Sequence, residues 1–349
     1  MIWVFLSLGL IWGIGWWLEV PQGRRWVLMG ILMAAVLLAH AVLPPGHALP
    51  AALGGSFAGW ASFFGALALV AAYSRGLVAL KARAKAPETA PDGPFTDTEL
   101  DRYARHIVLR EIGGPGQKAL KEARVLVVGA GGLGAPVLLY LAAAGVGTIG
   151  VIDDDVVDNS NLQRQVIHRD ADIGMPKVFS ARAAMLAQNP NVTVRPYHRR
   201  LDDEIAADLF ADYDLVLDGT DNLATRYLVN RAAAKLGKPV IGAALTQWEG
   251  QVSIWDPANG APCYQCVFPE APAPGLAPSC AEAGVIGPLP GVMGAIMAVE
   301  AVKEISGAGQ GLRGRLMLYD ALYADTRIIK VSPRADCPVC GGDEERTAP

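Results

Sequence analysis

The stretch ArgValLeuValValGlyAlaGlyGlyLeuGly (Arg124–Gly134) constrains the fold more than any other part of the chain. An apolar, β-branched run enters a glycine turn, and an Ala/Leu-rich helical segment follows. Gly129, Gly131 and Gly134 have the G-x-G-x-x-G spacing, in the strand–turn–helix context that gives it meaning. Glycine here lets the backbone turn sharply. It also lets phosphate approach main-chain N–H groups at a helix N-terminus, where the helix dipole favours an anion. A second strand, ThrIleGlyValIleAsp, ends at Asp153, roughly 20 residues on, where an acid can hold a ribose hydroxyl. The expected fold class is therefore α/β, a Rossmann-like doubly wound and mainly parallel sheet.

Alone, that fingerprint points to a nicotinamide or flavin enzyme, and the residues downstream argue for a different ligand. SerAsnLeuGlnArgGln (Ser160–Gln165) follows Asp153 closely, and Lys177 opens another helix after AspIleGlyMetPro. An NAD-dependent oxidoreductase has no use for Asn161, Arg164 and Lys177 beyond the ribose acid. A triphosphate has, because its charge must be neutralised and held while one phosphate is attacked. Further on, AspLeuValLeuAspGlyThrAspAsn (Asp214–Asn222) is an apolar strand ending in acids. Asp221, at the carboxyl end of that strand, is placed either to hold Mg²⁺ or to cap the helix expected over 222–236.

The chain carries a formal net charge of −4, with no basic run in its globular part, so nucleic-acid binding has no electrostatic footprint. Its apolar excess is local. Three runs without Asp, Glu, Lys or Arg open the sequence, at Ile2–Leu18, Trp26–Leu43 and Ala51–Tyr73. Each is near the roughly 20 residues needed to span hydrocarbon. The first lacks the basic leader of a signal peptide. The third is rich in Ala and Gly, which also suits a re-entrant or surface helix. Arg24, Arg25, Arg75, Lys81, Arg83 and Lys85 flank these runs, while the loop at 44–50 has no Lys or Arg. The positive-inside rule then places the N-terminus outside and everything after residue 75 in the cytoplasm, at an inner (cytoplasmic) membrane. Residues 1–80 are thus expected to form a membrane anchor of two to three helices, 81–95 a Pro/Ala/charged linker, and 96–349 a globular domain. That domain starts with a capping box, Thr96–Glu99, and a helix reaching about Arg110.

Cys263 and Cys266, and Cys337 and Cys340, form two C-x-x-C pairs with the spacing of a structural zinc site. Four thiolates close the coordination sphere, so such a site braces the fold at the C-terminal sheet extension and activates no water. Cys280 is left over, in a Pro/Ala-rich segment without helical or strand pattern.

The ordered set ArgTyrAlaArg (102–105), GlyAlaGlyGlyLeuGly, AspAspAsp (153–155), SerAsnLeuGlnArgGln, IleGlyMetProLys, ThrAspAsn, CysTyrGlnCys, CysAlaGluAlaGly and CysProValCys resembles the MoeB/ThiF/HesA family, bacterial relatives of ubiquitin-activating enzymes. The resemblance covers about two-thirds of the chain, and Gly284–Lys303 is similar to its molybdopterin branch. It implies ATP-dependent adenylylation of the C-terminal glycine carboxylate of a ubiquitin-like sulfur carrier ending GlyGly; thiamine-branch or other sulfur carriers are alternatives. In the site it implies, Gly132 lies under the nucleotide and Asp153 meets the ribose. Ser160, Asn161, Leu162, Gln163 and Arg164 form a phosphate cradle with Lys177, and Asp221 binds Mg²⁺ with Asn222 beside it. Arg105 is implied to reach the site from the other protomer of a homodimer. Cys280 resembles the family's sulfur-handling cysteine, although adenylylation itself needs no nucleophilic thiol. The family often has Gln where this chain has His106 and Cys where it has Gly219, and neither change removes a charge. A separate sulfurtransferase or other donor would supply sulfur, since no such domain follows in this sequence.

Overall fold

The structure is a computed structural model that describes residues 2–44, 46–83, 93–271 and 283–341. The chain divides into two compact units, Met1–Pro91 and Asp92–Pro349.

In the first unit, α1 (Ile2–Trp17), α2 (Gln22–Val42), α3 (Ala48–Leu53) and α4 (Phe57–Arg83) surround a small core of Val4, Val36, Trp60 and Phe64. The Trp60 and Phe64 rings stack with centroids 5.1 Å apart. The apolar run expected to be continuous over Ala51–Tyr73 is broken. Gly54 leaves helical geometry with φ +66°, and a new helix starts at Phe57 after Ser56 Oγ accepts from Gly59 N. Two stretches, Gln22–Val42 and Phe57–Leu77, are long and apolar enough to cross a membrane by length and composition, whereas α1 has 16 residues. Large apolar side chains such as Leu38, Leu69 and Val70 stay exposed on their outer faces.

The second unit opens with α5 (Asp97–Ile107), started by the expected capping box. Thr96 Oγ1 accepts from Glu99 N at 3.2 Å, and Glu99 Oε2 accepts from Thr96 N at 2.9 Å. The helix ends at Ile107 rather than near Arg110, because the chain turns through 108–112 into α6 (Gly113–Glu122). Tyr103 is the anchor: it is buried, and its hydroxyl accepts from Asn189 Nδ2 at 2.8 Å.

There follow β1 (Arg124–Val128), α7 (Gly134–Ala144), β2 (Thr148–Ile152), α8 (Lys177–Gln188), β3 (Thr193–Tyr197), α9 (Asp203–Ala211), β4 (Leu215–Asp218), α10 (Leu223–Lys235), β5 (Val240–Leu245), β6 (Glu249–Trp255), α11 (Tyr264–Val267), α12 (Pro288–Ser306), β7 (Arg315–Asp320) and β8 (Asp325–Lys330). One eight-stranded sheet has the order β3-β2-β1-β4-β5-β6-β7-β8. The first five strands pair in parallel and β6 to β8 add an antiparallel extension, so the sheet is mixed. β1 lies in the middle and is buried from Val125 to Val128, as an apolar run covered on both faces must be. One face packs Leu138, Leu141, Met185, Met293 and Met297 from α7, α8 and α12; the other packs Phe210 and Val229 from α9 and α10 with Tyr213. Between β1 and β4 the strand order reverses, which opens a crevice at the carboxyl ends of the strands.

Candidate active site

That crevice holds a cavity of about 820 Å³, and Gly129, Gly131, Gly132, Asp153, Asn161, Arg164, Lys177, Asp221 and Asn222 all line it. Two glycines are needed for its shape. Gly129 has φ +93°, a backbone region that disfavours side chains. A Cβ on Gly134 would sit 1.9 Å from the Gly129 carbonyl oxygen. Gly134 therefore does not line the cavity; it lets the helix start pack against the turn.

Asp153 is engaged by the backbone on both oxygens. Oδ2 accepts from Ala130 N and Oδ1 from Asp155 N, each at 2.8 Å. Burial pushes its carboxyl above the ordinary carboxylate range, against the pull of those two amides and of Lys177. Lys177 is the first residue of α8 and is buried. Its Nζ lies 2.7 Å from Asp155 Oδ2, so a cation whose stem is held in the protein presents its charge at the cavity wall.

The segment 160–165 makes a short turn whose residues face two ways. Arg164 donates to the Ser160 carbonyl at 3.1 Å and to Asn161 Oδ1 at 3.2 Å, and Gln165 Nε2 donates to the same Asn161 oxygen at 3.1 Å. Asn161, Arg164 and Gln165 thus gather at the cavity. Ser160, Leu162 and Gln163 do not line it. The Ser160 hydroxyl donates to Asp158 Oδ1, and Gln163 packs against Gly287, where a Cβ would come within 2.6 Å of it. Of the cradle expected over the five consecutive residues 160–164, only Asn161 and Arg164 line the cavity, and Gln165 joins them.

The two readings of the Asp221 region separate. Asn222 is the N-cap of α10, with Oδ1 accepting from Thr225 N at 2.8 Å. Asp221 is exposed at the cavity and has no hydrogen-bond or ion-pair partner among the described residues. The Asp153, Asp154 and Asp155 carboxylates can also approach one another within 4.8 Å on the same rim. These are hard oxygen donors, the type that suits Mg²⁺. Arg105 is exposed near the end of α5 and does not line the cavity of its own chain. Cys280 lies outside the described residues.

Two charged groups near the rim are buried, which their sequence positions do not reveal. Arg226, on α10, lines the cavity at 8% exposure and donates to the Thr220 carbonyl at 2.6 Å. Asp218, at the end of β4, accepts from Thr220 N and Oγ1, and burial pushes its carboxyl up while Arg226 opposes the shift. Both look like ordinary strand-end and helix-surface charges in sequence; only the register of β4 against α10 buries them.

The four paired cysteines meet, with every sulfur within 4.8 Å of the others. Cys263–Cys266, Cys263–Cys337 and Cys266–Cys340 are 3.8, 3.5 and 3.3 Å apart. A tetrahedral zinc with Zn–S bonds of about 2.3 Å requires S···S separations near ~3.8 Å, so the set fits that ion. Asn230 links it to the cavity. Its Nδ2 donates to Cys263 Sγ and its Oδ1 accepts from Tyr264 N, and Tyr264 and Phe268 line the cavity.

Residues 103–339 match the ThiF family. The chain belongs to that family. It is 51% identical over 255 residues to the probable adenylyltransferase/sulfurtransferase MoeZ of Mycobacterium tuberculosis, covering 72% of this chain and 65% of that one. The chain thus spans about two thirds of the length of MoeZ. It is 50% identical over 253 residues to the sulfur carrier protein adenylyltransferase of Thermus thermophilus, covering 71% and 93%, and 49% identical to the SAMP-activating enzyme E1 of Haloferax volcanii, covering 70% and 90%. Among solved structures, PaaA superposes with a TM-score of 0.60 at 25% identity over 74% of this chain and 82% of that one. E. coli MccB with ATP gives 0.60 at 23% over 69% and 75%, a likeness of fold.

Proposed function

We propose that this chain is an ATP-dependent adenylyltransferase that activates the C-terminal glycine carboxylate of a ubiquitin-like sulfur carrier of the molybdopterin-synthase small-subunit type. The observation that carries the proposal is the convergence of Asn161, Arg164, Lys177 and Asp221 on one cavity beside the glycine turn, in a ThiF-family chain half identical to a sulfur carrier protein adenylyltransferase. A carboxylate oxygen of the carrier attacks the α-phosphorus of ATP. The bond from that phosphorus to the bridging oxygen breaks, and pyrophosphate leaves with the electron pair. An acyl-adenylate remains, ready for sulfur.

The barrier is electrostatic, since an anion must approach a polyanion. Lys177 and Arg164 are held by buried or turn contacts before the nucleotide arrives, so little reorganisation is needed as charge moves to the leaving group. Asp221 would hold Mg²⁺, which supplies charge neutralisation at the phosphates when bound. Arg105 completes the set from a second copy of the chain, in a homodimer. Its exposure, with exposed Val108 and Leu109 beside it, supports that placement. Cys263, Cys266, Cys337 and Cys340 hold a structural zinc. The test of the activity is carrier-dependent exchange of labelled pyrophosphate into ATP.

Residues 2–83 are proposed to tether the enzyme to the cytoplasmic membrane, with the adenylylating unit on the cytoplasmic side; the apolar lengths of Gln22–Val42 and Phe57–Leu77 support this. After cell lysis, the full chain is expected in the membrane fraction, resistant to carbonate and released by detergent. A chain starting at residue 92 is expected to stay in the supernatant. Carbonate release of the full chain would contradict the tether.

A further inference from the structure

Ala130, in the middle of the glycine turn, is held at both ends. Its N–H donates to Asp153 Oδ2, and its carbonyl oxygen lies 2.9 Å from His168 Nε2. His168 is 6% exposed and does not line the cavity. A carbonyl only accepts, so the ring carries its proton on Nε2. On the far side of the ring Nδ1 lies 2.9 Å from Ser180 Oγ, whose single proton goes either to Nδ1 or to Asp172 Oδ2, 2.7 Å away. Burial holds the His168 pKa below its ordinary value, with Lys177 adding to the fall and Asp153 and Asp172 opposing it.

The geometry has a consequence one atom further on. In a trans peptide, C=O and N–H point in opposite directions. Tethering the Ala130 carbonyl at His168 therefore turns the Gly131 N–H away from His168. Gly131 lines the cavity, and its N–H has no partner among the described residues. Without a tether, a peptide plane next to glycine rotates at low cost.

We infer that His168 is a positioning residue: by holding the Ala130 carbonyl, with Ser180 against the far side of the ring, it aims the Gly131 N–H at a phosphate of the bound nucleotide. This rests on the adenylylating reading of the cavity. The residue touches neither nucleotide nor carrier, so its effect falls on KM for ATP.

The test uses the purified full-length chain and carrier-dependent ATP–pyrophosphate exchange, together with equilibrium binding of ATP. In His168→Phe, which keeps a flat ring and loses the donor, KM for ATP is expected to rise about tenfold, the scale of one lost hydrogen bond with a buried carbonyl left unpaired. KM for the carrier should not change. His168→Gln, whose amide nitrogen can reach the place of Nε2, is expected to stay within about threefold of the parent. Ser180→Ala, which keeps the donor and frees the ring, should fall between the two and serves if the Phe variant does not fold. Equal KM values for Phe, Gln and parent, or a Ser180→Ala variant indistinguishable from the parent when Phe is unfolded, would overturn the inference alone. A parent chain that binds no ATP would overturn the functional reading and this inference together.

Discussion

Replacing Lys177 or Arg164 with Ala is expected to slow ATP–pyrophosphate exchange by on the order of 10²-fold or more, the scale on which single preorganised contacts to transition-state charge act. Lys177 is the sharper case. Its stem is buried and its ammonium is already placed against Asp155, so truncation leaves a negative rim with a cation missing where a polyanion must bind. Arg164 is less buried but is fixed by Ser160 and Asn161. Arg105→Ala should lose as much, for a different reason. If each site takes Lys177 from one chain and Arg105 from the other, two inactive variants complement each other. Mixing Arg105→Ala with Lys177→Ala chains and letting subunits exchange should restore about a quarter of the parental activity, because half of the dimers then carry one intact site of two. Mixtures as inactive as their parents would place Arg105 outside the site. Near-normal exchange by Lys177→Ala and Arg164→Ala would remove the phosphate cradle.

The second large effect concerns the cysteine cluster. The chain purified under reducing conditions is expected to hold one zinc per chain by elemental analysis. Cys337→Ser, or prolonged chelation, should lower the melting temperature of the second unit by on the order of 10 °C, since binding free energy of a structural metal is folding free energy. KM for ATP should rise with it, because Asn230 joins Cys263 to Tyr264, and Tyr264 with Phe268 forms part of the cavity wall. Burial pushes the free Cys263 thiol up to about 11; at Cys337 burial acts the same way, but the amides of Val339 and Cys340 and the neighbouring thiols bring it down to about 7. Metal uptake must therefore release protons, and affinity should fall as pH is lowered. A metal-free chain whose melting is untouched by Cys337→Ser would contradict the brace.

The parts of this site that were legible in sequence are those with a fixed local geometry. The glycine turn, Asp153 at a strand end and Lys177 at a helix start each follow from spacing, since strands and helices put given residues at given ends. Asn222 against Asp221 was not decidable, because either side chain caps a helix; the backbone geometry assigns the cap to Asn222 and leaves Asp221 at the cavity. Ser160, Leu162 and Gln163 share a motif with Asn161 and Arg164, but a motif gives order and not direction, and only some side chains of the turn reach the cavity. His168 and Arg226 are illegible for a deeper reason: their partners are 6 to 38 residues away in sequence, and a buried polar contact of that kind leaves no period. The break at Gly54 was missed because hydropathy registers apolar length without backbone conformation.

The central claim is that the cavity activates a carrier carboxylate with ATP. The direct measurement is exchange of labelled pyrophosphate into ATP by the purified full-length chain, with and without a ubiquitin-like sulfur carrier ending GlyGly. Exchange that requires both Mg²⁺ and the carrier, and that disappears when the carrier's last glycine is removed, is the predicted result. Exchange that proceeds at the same rate without any carrier, or tight NADH binding with no exchange under any condition, would contradict it.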